Sequence, residues 1–419
     1  MKTIVSVTPT RLEADSRSFK IAASIARLGY TSILVEEKKS KFDRRGLPFA
    51  VRSMEDPLQR NNTLLDGGIE KSLSRGGIHT AMKTWRTIRD STLLLPIMFL
   101  FRYVYRCIML PFRQIPRASL YYLHGYTLYP SVWILSKRYK APIVYDAHDF
   151  YSGIKSPEEI AALKFGRRCL MAFYRHLESR LVKNASATVT VADRIAGLQE
   201  RAFCRRPLVI RNCHDRRIDR NPPKTLKASL GLSSDHFLLV VVGNCKEGMA
   251  IREAFDAMLE LPDRVHLAFV GNFYEEHLNE IRRRMLDWRI HIVGPIRPDE
   301  LVPFIQDADA SLLLYYPRSI NYRNCLPNGF FQAIAAGLPL LYPKLPEIEE
   351  IAEGYEIGTP IDPLVPSSVS SAVMRLMNDP VRMDEYRRNL RRAVRDLNWD
   401  GEELVLRELI SRVLAQSGR

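Results

Sequence analysis

The chain has 419 residues, a hydrophobic share of 46%, and 62 Lys and Arg against 47 Asp and Glu. The length suits roughly two domains with full cores, and a net charge of +15 suits phosphates, an anionic bilayer or nucleic acid as partners. Six cysteines without C-x2-C pairs or clustered histidines exclude a zinc module and a disulfide framework and fit a reducing cytoplasm; the opening M-K-T-I-V-S-V-T-P-T is too soon broken for a secretion signal.

From the N-terminus, short apolar runs alternate with helical patterns, the signature of parallel sheets wound by crossover helices. Strands are expected over residues 3–8, 32–36, 119–123, 143–146, 187–191 and 208–211, with a first helix over 18–28 closed by Gly29. The turn after the first strand, P-T-R-L-E-A-D-S-R, lacks the glycine fingerprint of a dinucleotide clamp, which argues against a nicotinamide oxidoreductase. Glu13 and Asp15 in that turn face the end of the sheet where ligands of open α/β folds bind, as acceptor contacts or as solvated charges.

Between Arg75 and Arg117 a single acid, Asp90, stands among eight basic residues, and the run T-L-L-L-P-I-M-F-L-F-R-Y-V-Y-R-C-I-M-L-P-F lies inside this zone. Arg102, Arg106 and two prolines interrupt it, so a spanning helix is not expected. One reading is an interfacial element that meets anionic headgroups; the other is a pair of core helices with snorkelling arginines. Nucleic acid is not expected, because no zinc-finger, RRM or KH signature accompanies the charge.

The segment N-C-H-D-R-R-I-D-R-N-P-P-K, residues 212–224, is polar and unperiodic and reads as an interdomain linker. A second strand and helix series follows, with strands over 237–243, 265–271, 291–294, 310–315 and 338–342, and a last helix over 398–416. The resulting domains are 1–215, 225–395 and a terminal helical segment 396–419.

Residues 321–342, N-Y-R-N-C-L-P-N-G-F-F-Q-A-I-A-A-G-L-P-L-L-Y, read as a polar loop, a small-residue helix and a buried strand. Asn321, Arg323, Asn324 and Asn328 precede or open the helix, so its unpaired amides and the Arg323 guanidinium are placed to receive an anion. Lys246, in a loop after a second-domain strand, is a further phosphate candidate.

The stretch L-P-N-G-F-F-Q-A-I-A-A-G-L-P resembles the donor-site helix of GT-B glycosyltransferases, in particular the retaining family 4 group. The likeness extends along most of the chain: V-Y-D-A-H-D-F-Y at 144–151 resembles the family's D-x-H-E segment, and N-W-D-G-E-E-L-V-L-R-E-L resembles its returning terminal helix. This implies an α/β fold of two Rossmann-like domains (GT-B architecture) facing a central cleft, with the C-terminal helix crossing back to the first domain. The family's E-x7-E glutamates are replaced by Asn324 and Gln332. V-V-V-G-N-C-K-E-G at 240–248 stands where the family has G-R-x-x-x-K-G, which puts Gly243 and Asn244 at its start, Glu247 in the lysine place and Lys246 one residue early. The resemblance gives Gly243, Asn244, Lys246, Arg323, Asn324, Asn328 and Gln332 as donor-binding residues. It places His124 near the transferred sugar, and Asp146, His148 and Asp149, at a strand end, join it as catalytic candidates.

The implied function is metal-independent transfer of a sugar from a nucleotide-diphosphate sugar to a lipid-linked or polysaccharide glycan, as in bacterial surface glycan synthesis. No cofactor is expected, a retaining outcome is favoured over an inverting one, and the setting is cytoplasmic or peripheral on the inner face of the cytoplasmic membrane. A sugar-nucleotide epimerase of the same architecture and a non-catalytic nucleotide-sugar-binding scaffold are the alternatives; the substituted donor motif motivates the second.

Overall fold

A computed structural model describes residues 1–12, 15–37, 39–40, 44, 46–54, 104, 108–246 and 248–417. The expectations for Glu13, for Glu247 and for most of the 75–117 segment lie outside these residues. Two wholly parallel sheets organise the chain. The first runs in the order β3-β2-β1-β4-β5-β6-β7, from β1 (Thr3–Thr8), β2 (Thr31–Glu36), β3 (Ala50–Ser53), β4 (Leu120–His124), β5 (Ile143–Ala147), β6 (Ala187–Thr190) and β7 (Leu208–Val209). The second runs β10-β9-β8-β11-β12-β13, from β8 (Phe237–Val242), β9 (Val265–Val270), β10 (Ile290–Val293), β11 (Ala310–Leu312), β12 (Leu340–Pro343) and β13 (Gly358–Ile361).

Central strands such as β8, F-L-L-V-V-V, are apolar at every position and buried at every position, because helices cover both faces of each sheet. Two of the four edge strands, β3 and β13, escape sequence reading for the converse reason. The first alternates exposed and half-buried residues, and the second carries Gly358 and Pro360, both poor strand formers that are tolerated at an edge.

In each sheet the strand order reverses direction between β1 and β4, and between β8 and β11, which opens a crevice at the carboxyl ends of those strands. The two crevices face one another. Apolar packing is continuous beneath them, since Phe150 and Ile195 of the first domain share a cluster with Leu326 and Phe330 of the second.

The Trp399–Gln416 helix returns to the first domain and buries Leu406, Leu409, Ile410 and Val413 against Ile4, Ile21 and Leu120. Trp399 donates its indole N–H to Ser24 Oγ at 2.7 Å. The linker is pinned in the same place: Arg27 pairs with Asp215 at 2.6 Å and Glu403 at 2.7 Å, and Lys20 Nζ donates to the carbonyls of Asn212 and Cys213. One helix of the first domain therefore holds the linker and the last helix together.

Candidate active site

The facing crevices enclose a cleft of about 500 Å³. Its lining comes from strand ends: Thr10, Asp15 and Arg17 after β1, His148 and Asp149 after β5, Gly243, Asn244 and Lys246 after β8, Gly271 after β9, and Asn321, Tyr322 and 325–329 after β11. Backbone-level constraints place the second-domain loops. A Cβ at Gly329 would lie 2.6 Å from the Val242 carbonyl oxygen, so this glycine lets the N-terminus of the Asn328–Ala336 helix close onto the end of β8. A Cβ at Gly271, where φ is +147°, would meet the Gly243 oxygen at 2.4 Å. The helix amides, Asn328, Lys246 and Gln332 thereby share one wall of the cleft.

On this wall Asn244 serves the loop itself, because its Oδ1 accepts from the Asn272 backbone N–H at 3.0 Å and side-chain N–H at 2.9 Å. Gln332 is half-buried and has no hydrogen-bond partner among the described residues, so its amide is available to a ligand diol. Lys246 is exposed at the mouth. Arg323 and Asn324 do not line the cleft: Asn324 Nδ2 caps the Ile320 carbonyl at 2.8 Å, and Arg323 is exposed. Two positions along the Ile320–Arg323 turn correspond to roughly 200° of rotation, so Asn321 facing inward carries Arg323 outward.

On the opposite wall, Asp146 and His124 lie beneath the cleft and His148 and Asp149 in it. Asp146 is fully buried and receives Arg17 in a fork, Nε at 2.9 Å and Nη2 at 2.9 Å, with the Tyr122 hydroxyl at 3.1 Å. Burial alone would raise the Asp146 carboxyl and lower the Arg17 guanidinium; the pairing outweighs it in both, so the pair stays ionised. Arg17 Nη1 also donates to the Ile210 carbonyl at 2.7 Å, tying β5 to the end of β7.

His124 is 1% exposed, and burial pushes its pKa down to about 4 although Asp146 lies 3.6 Å away, so the imidazole is neutral at neutral pH. Its Nδ1 is 3.0 Å from His148 Nε2, so His124 reaches the cleft through His148. Asp15 lines the cleft, yet its oxygens already accept from Thr8 at 2.9 Å, Thr10 at 2.9 Å and Ser18 N–H at 3.0 Å as the cap of the Ser16–Arg27 helix. Burial would raise its pKa; His148, His124 and the Ser18 bonds outweigh that and hold it low, which makes Asp15 a poor proton acceptor.

Asp149 differs. Its Oδ1 accepts from Asn321 Nδ2 at 3.0 Å across the domain interface, while Asn321 Oδ1 accepts the Phe150 N–H at 2.8 Å. Asn321 thus fastens the second domain to the segment that carries Asp149. Asn212 and Asn328 form another interdomain hydrogen bond beside it. Local sequence assigns Arg17 no role. Its signal is faint, because the Ser16–Arg27 helix sets two further basic residues, Lys20 and Arg27, among its apolar and small ones.

His124, Asp146 and His148 offer ligand atoms within 4.8 Å of one another. They do not fit a resident cation, because the Arg17 guanidinium already holds Asp146 and a metal would have to displace this buried charge.

Residues 248–400, most of the second domain and the start of the last helix, match the family described as glycosyl transferase-like. No curated protein sequence matches the chain. Among solved structures, sucrose-phosphate synthase from Thermosynechococcus elongatus aligns over 99% of this chain and 100% of its own, with a TM-score of 0.69 and 14% identity. HepE of Anabaena, in complex with UDP-glucose, aligns over 98% and 100% with a TM-score of 0.66 and 16% identity. WaaG, a glycosyltransferase involved in lipopolysaccharide biosynthesis, aligns over 97% and 99% with a TM-score of 0.62 and 14% identity. The whole chain has the GT-B architecture of these structures, and residues 248–400 match a family described as glycosyl transferase-like. At these identities the likeness carries the architecture and not the substrate.

Proposed function

We propose that the protein transfers a sugar from a nucleotide-diphosphate sugar to a lipid-linked or polysaccharide acceptor in bacterial surface glycan synthesis, without a metal. The observation that carries this reading is the second-domain wall, where a helix N-terminus brought close by Gly329 stands beside Lys246 and Gln332, which has no hydrogen-bond partner among the described residues. That is a site for a diphosphate and a ribose diol. The likeness to HepE, solved with UDP-glucose, and to WaaG supports the donor class and the glycan setting.

In this reading the diphosphate lies against the helix amides and Lys246, which stabilise the leaving charge. The sugar extends toward His148 and Asp149 on the first-domain wall. The Asn321 bridge from the second domain to Asp149 keeps the two walls together and limits water. A retaining outcome needs no protein base, since the departing phosphate can take the acceptor proton. In an inverting reaction Asp149 would be the carboxylate placed to take it, because Asp146 and Asp15 are committed to Arg17 and to the helix cap.

Thermal shift with nucleoside diphosphates and their sugar conjugates tests the donor site. Wild type and Arg323→Ala are expected to be stabilised equally by the same nucleotide, and Lys246→Ala less so, followed by turnover with that donor. Equal loss in Arg323→Ala would move the phosphate site away from this wall. Binding without turnover on any glycan acceptor would favour the non-catalytic scaffold.

A further inference from the structure

The Phe165–Asn184 helix of the first domain is out of keeping with its surroundings. It buries only Glu178, Leu181 and Val182, all near its C-terminal end, and from Phe165 to Leu177 no residue is buried. That exposed part holds Phe165, 78% exposed, with Leu170 and Met171 half-buried beside Arg167, Arg168 and Arg175. Its N-terminus has no side-chain cap and no acidic residue in its first turn, where Arg167 and Arg168 oppose the helix dipole. An external anion near this turn would relieve both.

The helix belongs to a larger face. Tyr126, just before the Tyr129–Tyr139 helix, contacts Tyr174 with ring centroids 5.4 Å apart, and Ser131 of that helix donates to the Ile108 carbonyl at 3.1 Å, beside the Leu110–Gln114 helix. All three helices adjoin the same core cluster on one side of the first sheet. Outward they show Met109 and Phe112, and Trp133 at 40% exposure. Residues 108–117, 129–140 and 164–184 carry two, three and six Lys or Arg, and a single carboxylate. That carboxylate, Glu178, is buried and accepts the Tyr145 hydroxyl at 2.8 Å, so it does not offset the surface charge.

We propose that this three-helix face docks the protein on an anionic lipid bilayer. Aromatic and aliphatic side chains interleaved with cations that pair with no carboxylate among the described residues are the chemistry of an interfacial surface, in which the apolar groups enter the headgroup boundary and the cations meet lipid phosphates. Among the described residues no helix is long and apolar enough to cross a membrane. The topology also connects this face to the cleft. The helix leaves the loop that follows His148 and Asp149, and from Tyr174 back to Phe165 it spans roughly 13 Å on the cleft side of the sheet. A docked bilayer would therefore lie beside the cleft mouth, where a lipid-linked acceptor would enter. The acceptor rests on the transferase reading; the docking itself does not.

Sedimentation of the full chain with phosphatidylglycerol-containing vesicles and with pure phosphatidylcholine vesicles tests this. Binding is expected only to the anionic vesicles and should weaken with added salt. Arg167→Glu/Arg168→Glu should reduce partition roughly thirtyfold or more, and Phe165→Ser should reduce it further, both with the wild-type melting temperature and wild-type nucleotide stabilisation. Failure of the wild type to sediment, equal binding to uncharged vesicles, or wild-type binding by both variants would each overturn the proposal. So would conversion of a dimer to a monomer by the variants without a change in vesicle binding, since the face would then belong to a second copy. Donor binding measured on the same preparations is independent of all these outcomes, so a failure of docking is distinguishable from a failure of the transferase reading.

Discussion

Asp146 sits at the end of a central strand, as a catalytic carboxylate would, but the structure gives it a different task, and its removal is the most informative perturbation. Asp146→Ala leaves the Arg17 guanidinium, 2% exposed, with the Ile210 carbonyl as its only described acceptor. The Tyr122 hydroxyl loses its acceptor as well. Breaking a buried pair on one side destabilises by about 3–5 kcal/mol. For a domain of about 200 residues each kcal/mol lowers the melting temperature by roughly 2–4 °C, so a fall of roughly 6–20 °C is expected. Calorimetry of the single variant, of Arg17→Met and of Arg17→Met/Asp146→Leu makes the cycle. The double variant should recover much of the loss, because no uncompensated charge remains in it. An Asp146→Ala protein that melts like the wild type yet has lost turnover would refute the reasoning and return this carboxylate to the chemistry.

Two further outcomes are expected. Gly329→Ala places a methyl group 2.6 Å from the Val242 oxygen, so the helix N-terminus must retreat; stability should fall by about 1–3 kcal/mol and nucleotide affinity with it, measured by denaturant unfolding and titration calorimetry. Burial pushes the Lys20 pKa down to about 7 from an ordinary 10.5, with Arg17 adding to this and Cys213, Asp215 and Glu402 opposing it. Above pH 7 the unfolded chain holds a proton that the folded chain has released, so stability rises with pH by up to about 1.4 kcal/mol per unit. Cys213, which burial pushes up to about 12, acts in the opposite sense above about pH 9. Denaturant midpoints should therefore climb between about pH 7 and 9 in the wild type and not in Lys20→Met; an identical climb in both would sink the assignment.

Much of the architecture is legible in local sequence, because parallel strands covered on both faces must be apolar throughout and their crossover helices must be amphipathic. The runs around 3–8, 143–146 and 237–243 carry that information in adjacent residues. So does the alternation that puts the loops after β1, β5, β8 and β11 at one end of each sheet, which is why Asp15, His148, Asp149, Lys246, Asn328 and Gln332 fall in a single cleft. The returning helix is likewise written in its own apolar face.

What each polar residue does in that cleft was decided only by docking. Arg17 and Asp146 are 129 positions apart, and Asn321 and Asp149 are 172 apart. Neither partner's local pattern names the other. A carboxylate reads the same in sequence whether it faces a ligand or a buried guanidinium. The difference arises from the low-dielectric surroundings and the opposite charge that tertiary packing brings to it. His124 loses its place at the surface to His148 for the same reason, and Arg323 loses its place to Asn321 through the rotation of one helical turn.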